Sequence, residues 1–178
     1  MKILGRNIKL YQVICLGFYY CFARYLPSGK FGRTVRYNTC KHIFAECGKN
    51  VNVERLAFFA SGTRIKIGNN SGLGINCCVP GNLEVGTNVM MGPNCYILGA
   101  NHEFERIDIP IIEQGFKEPL KTVIEDDVWI GRDVLMTPGR RIRTGSIIAA
   151  RTVLCKDFPE YSIIGGNPSK LIRSRIKI

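Results

Sequence analysis

The sequence predicts a mainly β fold: a parallel solenoid of six-residue units, with helices at its N-terminal end and a short basic tail at its C-terminal end. Three observations carry that expectation. First, between Phe59 and Leu98 an aliphatic or small residue followed by Gly recurs every six residues: Ser61-Gly62, Ile67-Gly68, Leu73-Gly74, Val79-Pro80, Val85-Gly86, Met91-Gly92 and Ile97-Leu98, with Pro80 and Leu98 as departures. Second, another small or apolar residue stands four places after each aliphatic, at Ile65, Ser71, Cys77, Leu83, Val89 and Cys95. Third, after an interruption the spacing resumes at Ile124, Ile130, Met136, Ile142, Ile148 and Leu154. Neither a helical period of about 3.6 nor a strand period of about 2 gives this pattern. A fixed short repeat marks stacked coils, each unit a short strand plus a corner. The aliphatic side chain points into a narrow core, and Gly is expected to make the turn where a side chain would clash. The alternative is a β-sandwich, whose turns would come about every 8–12 residues.

Residues 1–45 form a basic N-terminal segment. Leu10 to Leu26 is apolar and aromatic, flanked by Lys2, Arg6 and Lys9 on one side and Arg24, Lys30, Arg33 and Arg36 on the other. A cleaved signal peptide lacks a clear small-residue cleavage site here. A membrane span would need roughly 20 apolar residues, and Gln12 and Arg24 interrupt the run. A helix on a membrane surface, through residues 1–30, fits the basic flanks and aromatics. A helix packed against the solenoid or a neighbouring subunit fits as well. Pro27-Ser28-Gly29 ends this helix, and a second basic helix is expected over Arg33 to Phe44. The solenoid then occupies residues 46–157, broken at residues 99–122 by a loop long enough to imply a function. Residues 158–178 form a capping tail, expected to be a turn and a short basic helix.

The formal charge is +11 and is unevenly spread. Residues 1–45 carry eight Lys or Arg and no acid, residues 46–139 eight basic against twelve acidic, and residues 140–178 nine against two. Such ends suit anionic membranes or phosphorylated small molecules. No nucleic-acid-binding motif accompanies them. The eight cysteines form no CxxC pair, and Cys77 and Cys95 occupy inward repeat positions. They read as reduced thiols of a cytoplasmic protein, at the inner face of the membrane if the helix docks there. A disulfide framework is the alternative.

The two histidines are His42, in the basic segment, and His102, where the repeat breaks into the loop. Two per chain are too few for a three-His zinc site, so no metal is expected. A neutral imidazole at the mouth of a loop on a rigid scaffold suits proton abstraction from a hydroxyl or amine attacking a thioester. A backbone N–H would then stabilise the oxyanion. Glu103, Asp108 and Glu113 are candidates to orient the imidazole. No Gly-x-Ser-x-Gly elbow is present, which points to direct transfer from the donor rather than a covalent intermediate.

The hexapeptides resemble those of the left-handed β-helix acyltransferases. The stretch Asn101-His102-Glu103-Phe104 is more specific, together with Asp108-Ile109-Pro110, Gln114-Gly115-Phe116, Asp126-Asp127-Val128-Trp129-Ile130-Gly131, Pro138-Gly139, Lys156-Asp157 and Gly166-Asn167-Pro168-Ser169-Lys170. Over about residues 46–173 these resemble the galactoside and maltose O-acetyltransferase family, closest to its polysaccharide-modifying members. The resemblance implies a left-handed β-helix and a homotrimer with active sites between neighbouring solenoids. It implies acetyl-CoA as donor and His102 as general base. Asn76, with Asp108 and Glu113, would hold the acceptor. Trp129, Arg132, Ala150, Cys155, Lys156, Lys170 and Arg173 would lie along acetyl-CoA, with Trp129 alternatively at the subunit interface. The chain departs from the family's usual Val at Arg140, an inward position, and from its usual Gly at Arg143, Ala149 and Arg151. A buried Arg140 needs a partner or a distorted coil.

The function implied is acetyl transfer from acetyl-CoA to a hydroxyl of a sugar or polysaccharide precursor. Alternatives are O-acetylation of an antibiotic, N-acetylation of an amino sugar, and a catalytically silent trimeric scaffold.

Overall fold

The computed structural model describes residues 9–176 in full and, before them, only the backbone of Lys2–Ile3 and Arg6–Asn7, an antiparallel pair. Met1, Leu4, Gly5, Ile8 and the last two residues, parts of the expected N-terminal segment and capping tail, lie outside the described residues.

The chain winds a left-handed parallel β-helix whose strands are mostly two residues long. Three sheets make the faces of a prism. The first stacks Glu46–Cys47, Lys66–Ile67, Glu84–Val85, Val123–Ile124 and Arg141–Ile142. The second stacks Met90–Met91, Trp129–Ile130, Ile147–Ile148 and Ser162–Gly165, all parallel. Asn52–Val53 and Gly72–Leu73 continue it below, through the Gly72 amide donating to the Val89 carbonyl. The third stacks Tyr96–Ile97, Leu135–Met136 and Val153–Leu154, extended by bridges to Cys78 and Phe58.

The core explains the period. Each unit buries two residues two apart, as in Ile65 and Ile67, Ser71 and Leu73, Cys77 and Val79, or Leu83 and Val85. The register of the first coil corrects one expectation. Glu46–Cys47 pairs with Lys66–Ile67, 20 residues on, whereas later coils advance by 18. The two extra residues fall between Phe59 and Ile65, so Phe59 is buried and Ser61 is only half-buried.

The turns are made only in part by the residues expected. At Gly74 a Cβ would stand 2.0 Å from the Gly92 carbonyl oxygen of the next coil, so glycine there permits close stacking of coils. The left-handed corner conformation falls on Gly62, Gly139 and Gly145 as expected, but also on Asn70, Asn76, Asn88, Asn94, Asp127 and Asp133, with φ between 53° and 60°. Asn and Asp tolerate that region better than other side chains. Their amides also bond from coil to coil. Asn70 donates to Asn88 and Asn76 to Asn94 at 3.1 Å each, and Asn94 donates to Asp133 at 2.9 Å.

Helix α1 (Leu10–Cys21), a 3₁₀ turn (Ala23–Tyr25) and helix α2 (Lys30–Ile43) cap the first coil. Tyr19 and Ala23 are fully buried, the Tyr19 hydroxyl donates to the Ala57 carbonyl at 2.9 Å, and its ring lies 4.6 Å from that of Phe59. Arg36 is fully buried and donates to the carbonyls of Val53 (2.6 Å) and Leu26 (2.7 Å). Glu54 lies beside it, 2.7 Å from Arg33, and accepts from Ser28 and Asn52. Among the described residues no helix is long and apolar enough to cross a membrane.

The C-terminal end is also a correction. Lys170–Ser174 is a strand, not a helix, and pairs antiparallel with Ser162–Gly165. Its apolar Leu171 and Ile172 find a partner strand already in place, and sheet pairing satisfies the backbone that a short helix would leave open at its ends. Arg140 is not buried. Its side chain leaves the core, donates to the carbonyls of Cys155 (3.2 Å) and Pro138 (3.3 Å), and sits 3.4 Å from Asp157.

Candidate active site

The loop at residues 99–122 replaces the corner between the third face, after Tyr96–Ile97, and the first, before Val123–Ile124. Its two legs run back to back. The Lys117 amide donates to the Asn101 carbonyl at 2.8 Å, and the Glu103 amide to the Gly115 carbonyl at 3.1 Å. Between these bonds His102 bridges Phe116 in antiparallel fashion. The rings pack with centroids 4.2 Å apart. His102 is exposed at the root of the loop, on a stem fixed at both ends to the solenoid.

None of the three carboxylates expected to orient the imidazole hydrogen-bonds it among the described residues. Asp108 is paired with Arg106, whose hydrogen bond holds the carboxyl below its ordinary range. Glu103 lies 3.8 Å from Lys117, and Glu113 is exposed in the single-turn helix α3 (Ile111–Gln114). The imidazole is held instead by Phe116, a partner that sequence reasoning did not single out. Its signal was the Gln114-Gly115-Phe116 motif on the returning leg. Gln114 ties the loop tip by donating to the carbonyls of Arg106 (2.8 Å) and Ile109 (3.2 Å).

The remaining expected site residues fall on distinct parts of the prism. Asn76, Arg132 and Ala150 follow strands of the second face and line the edge between it and the third. Asn76 is engaged there with Asn94. Trp129 and Arg173 lie on the second face: Trp129 pairs with Met90 and Ile147, and Ile163 pairs with Arg173. Lys170 pairs with Gly165 at the end of that face. Cys155 and Lys156 follow the last strand of the third face, on the edge from which the His102 loop departs. A hydrogen bond to the Ser169 hydroxyl lowers the Cys155 thiol from its ordinary value. Arg151, next to Ala150, extends outward and lies 3.7 Å from Asp133. Within one chain, therefore, His102 stands on one edge of the prism and Asn76, Arg132 and Ala150 on another.

Two features bear on what faces this site. Arg132, Lys156, Lys170 and Arg173 are exposed and form no ion pair among the described residues. The loop tip is apolar and uncovered: Ile107 is 100% exposed and Ile112 84%.

No protein-family model matches the chain. The provisionally named acetyltransferase YJL218W of Saccharomyces cerevisiae is 34% identical over 135 residues, covering 75% of this chain and 67% of that protein. Among solved structures, a maltose O-acetyltransferase from Clostridium difficile superposes with a TM-score of 0.74 at 29% identity, over 96% of this chain and 91% of that one. A galactoside acetyltransferase in complex with coenzyme A superposes with a TM-score of 0.71 at 26% identity, over 92% and 80%.

Proposed function

This chain belongs to the hexapeptide-repeat acetyltransferases of the galactoside and maltose type, and we propose that it moves an acetyl group from acetyl-CoA to a hydroxyl of a sugar or polysaccharide precursor. The observation that carries the reading is His102, the one histidine at the root of the long loop, exposed and fixed against Phe116. A histidine at this position is suited to accept the proton of an attacking hydroxyl.

The chain's residues fit an elongated anionic donor. Arg132, Lys156, Lys170 and Arg173 are exposed cations on the later coils and tail that form no ion pair among the described residues, suited to phosphate groups. Ala150 leaves room at its corner, and Trp129 offers an apolar ring on the adjoining face. Bound acetyl-CoA supplies an acetyl thioester. His102 takes the proton from the acceptor hydroxyl as that oxygen attacks the thioester carbonyl; the C–S bond then breaks, and the imidazolium returns the proton to the departing CoA sulfur. Asn76, Asp108 and Glu113 are assigned to the acceptor.

The two-edge arrangement supports a homotrimer. A cyclic assembly joins two different surfaces of each subunit. It would bring the His102 loop of one prism towards the Asn76 and Arg132 edge of the next, and would cover Ile107 and Ile112.

The test is a panel of acceptors assayed with acetyl-CoA: simple sugars, oligosaccharides, amino-sugar nucleotides and chloramphenicol-type alcohols. Activity on sugar hydroxyls, cut about 10²–10⁴-fold in His102→Ala, is expected. Full activity in that variant would sink the mechanism. Turnover confined to an amine or an antibiotic would reassign the acceptor.

A further inference from the structure

Helix α1 holds one side against the first coil and turns the other to solvent. Leu10, Ile14 and Phe18 recur every four residues and so form one stripe, which Phe22, just past the helix end and packed on Phe18, extends. With Tyr11 they are 45–68% exposed. Tyr25 and, at the start of α2, Phe31 extend the apolar surface. A contiguous patch of this kind marks an interaction surface.

Charge indicates what covers it. Residues 1–45 hold eight Lys or Arg and no acid. Lys9 stands at the start of α1 and Lys30 at the start of α2, both exposed. The Arg24 guanidinium lies 5.7 Å from the Tyr25 ring centre. Two copies meeting through this face would set cations against cations, with no carboxylate in the segment to answer them. An anionic bilayer supplies both complements: apolar depth for the aliphatic and aromatic side chains, and lipid phosphates for the lysines. Length fixes the orientation. Twelve residues rise about 18 Å, well short of a hydrocarbon core of about 30 Å.

We propose that α1 lies flat in the surface of an anionic lipid bilayer, inserting Leu10, Ile14, Phe18 and Phe22, with Lys9 and Lys30 at the lipid phosphates. This rests on the exposure and charge of the N-terminal helices and stands apart from the acetyl-transfer reading. In a cyclic trimer of side-by-side prisms, three copies of α1 lie at one end and bind with avidity.

The test uses the purified full chain with vesicles of phosphatidylcholine alone and of phosphatidylcholine with phosphatidylglycerol, with light scattering in parallel. Flotation with the anionic vesicles, released by salt, is expected. The double variant Ile14→Glu, Phe18→Glu should weaken it at least tenfold while keeping the wild-type melting temperature. Ile14→Gln serves as a milder second variant should the double variant fold poorly. Lys9→Gln and Lys30→Gln should each weaken binding about fivefold, the equivalent of about 1 kcal/mol per basic residue. The proposal fails if the protein ignores anionic vesicles, binds neutral ones equally, or binds unchanged after the substitutions in α1. A change of molecular mass in those variants, with no vesicle binding by the wild type, would assign the face to a second copy of the chain.

Discussion

The imidazole of His102 packs against the ring of Phe116 across the stem of the loop, with planes 33° apart. A packed ring resists the rotation that an exposed histidine otherwise enjoys, while its edge nitrogens stay free. Phe116, rather than any of the three carboxylates, is the side chain packed on the imidazole.

Phe116→Ala should lower kcat about threefold to tenfold, the scale of an aromatic pair worth about 0.5–1.5 kcal/mol. KM for acetyl-CoA should stay put. Phe116→Tyr should restore the rate, because the ring rather than a polar group does the holding. His102→Ala, by contrast, should lose about 10²–10⁴-fold in kcat. Steady-state kinetics would decide; a Phe116→Ala enzyme with unaltered kcat would remove the positioning role.

Lys170→Ala and Arg173→Ala should do the reverse. Each removes an exposed cation at the end of the second face that forms no ion pair among the described residues. KM for acetyl-CoA should rise about tenfold with kcat little changed, and rising salt should narrow the gap from wild type. Equal KM values in the variants would place the donor elsewhere.

Ile107→Asp with Ile112→Asp should shift the molecular mass in light scattering from trimer to monomer and take most of the activity with it. Both side chains are open to solvent in the single chain, so the substitution leaves the subunit's own core alone. A monomeric variant with full activity would show that one chain holds a complete site.

Glu54 should make the N-terminal cap acid-sensitive. Burial pushes its pKa up, but hydrogen bonds from Asn52 and Ser28 and the charge of Arg33 outweigh it, leaving the carboxyl below its ordinary 4.5. A depressed carboxylate contributes stability that is full above the unfolded value of 4.5 and is lost as pH falls through the lower folded value. Glu54→Ala removes the carboxylate 3.9 Å from the buried Arg36 and 2.7 Å from Arg33 and should destabilise the cap at neutral pH by about 1–3 kcal/mol. Denaturant titrations at several pH values should show a smaller acid-induced loss in the variant than in the wild type. Parallel pH curves would exclude this origin.

The repeat was legible because inward aliphatic residues two and four apart leave a direct trace in the chain: Ile67, Leu73 and Val85 could be placed from spacing alone. Ser61 was misplaced because two inserted residues shift the frame without breaking the six-residue rhythm. The corner asparagines were equally visible, Asn70 and Asn76 six apart and Asn88 and Asn94 likewise. Glycine drew the turn assignment because its conformational freedom is general, whereas its use at Gly74 depends on a carbonyl from another coil. The tail misled for a related reason. Lys170-Leu171-Ile172-Arg173 suits helix or strand, and only the partner strand Ser162–Gly165 decides. At the site, the position of His102 could be read from where the rhythm stops. Its partner could not, because Phe116 meets it only through the antiparallel return of the loop.

The antiparallel strand Lys170–Ser174 has a consequence for the solenoid as a polymer. Each coil of a parallel helix is a template for the next, so an open end invites another molecule to add its own coils. Here the final edge of the second face is closed by a strand running the wrong way to propagate the stack, and it carries Lys170 and Arg173 outward. Helices close the opposite end. The parallel stack of the second face therefore ends within its own chain, and no further coil is templated there.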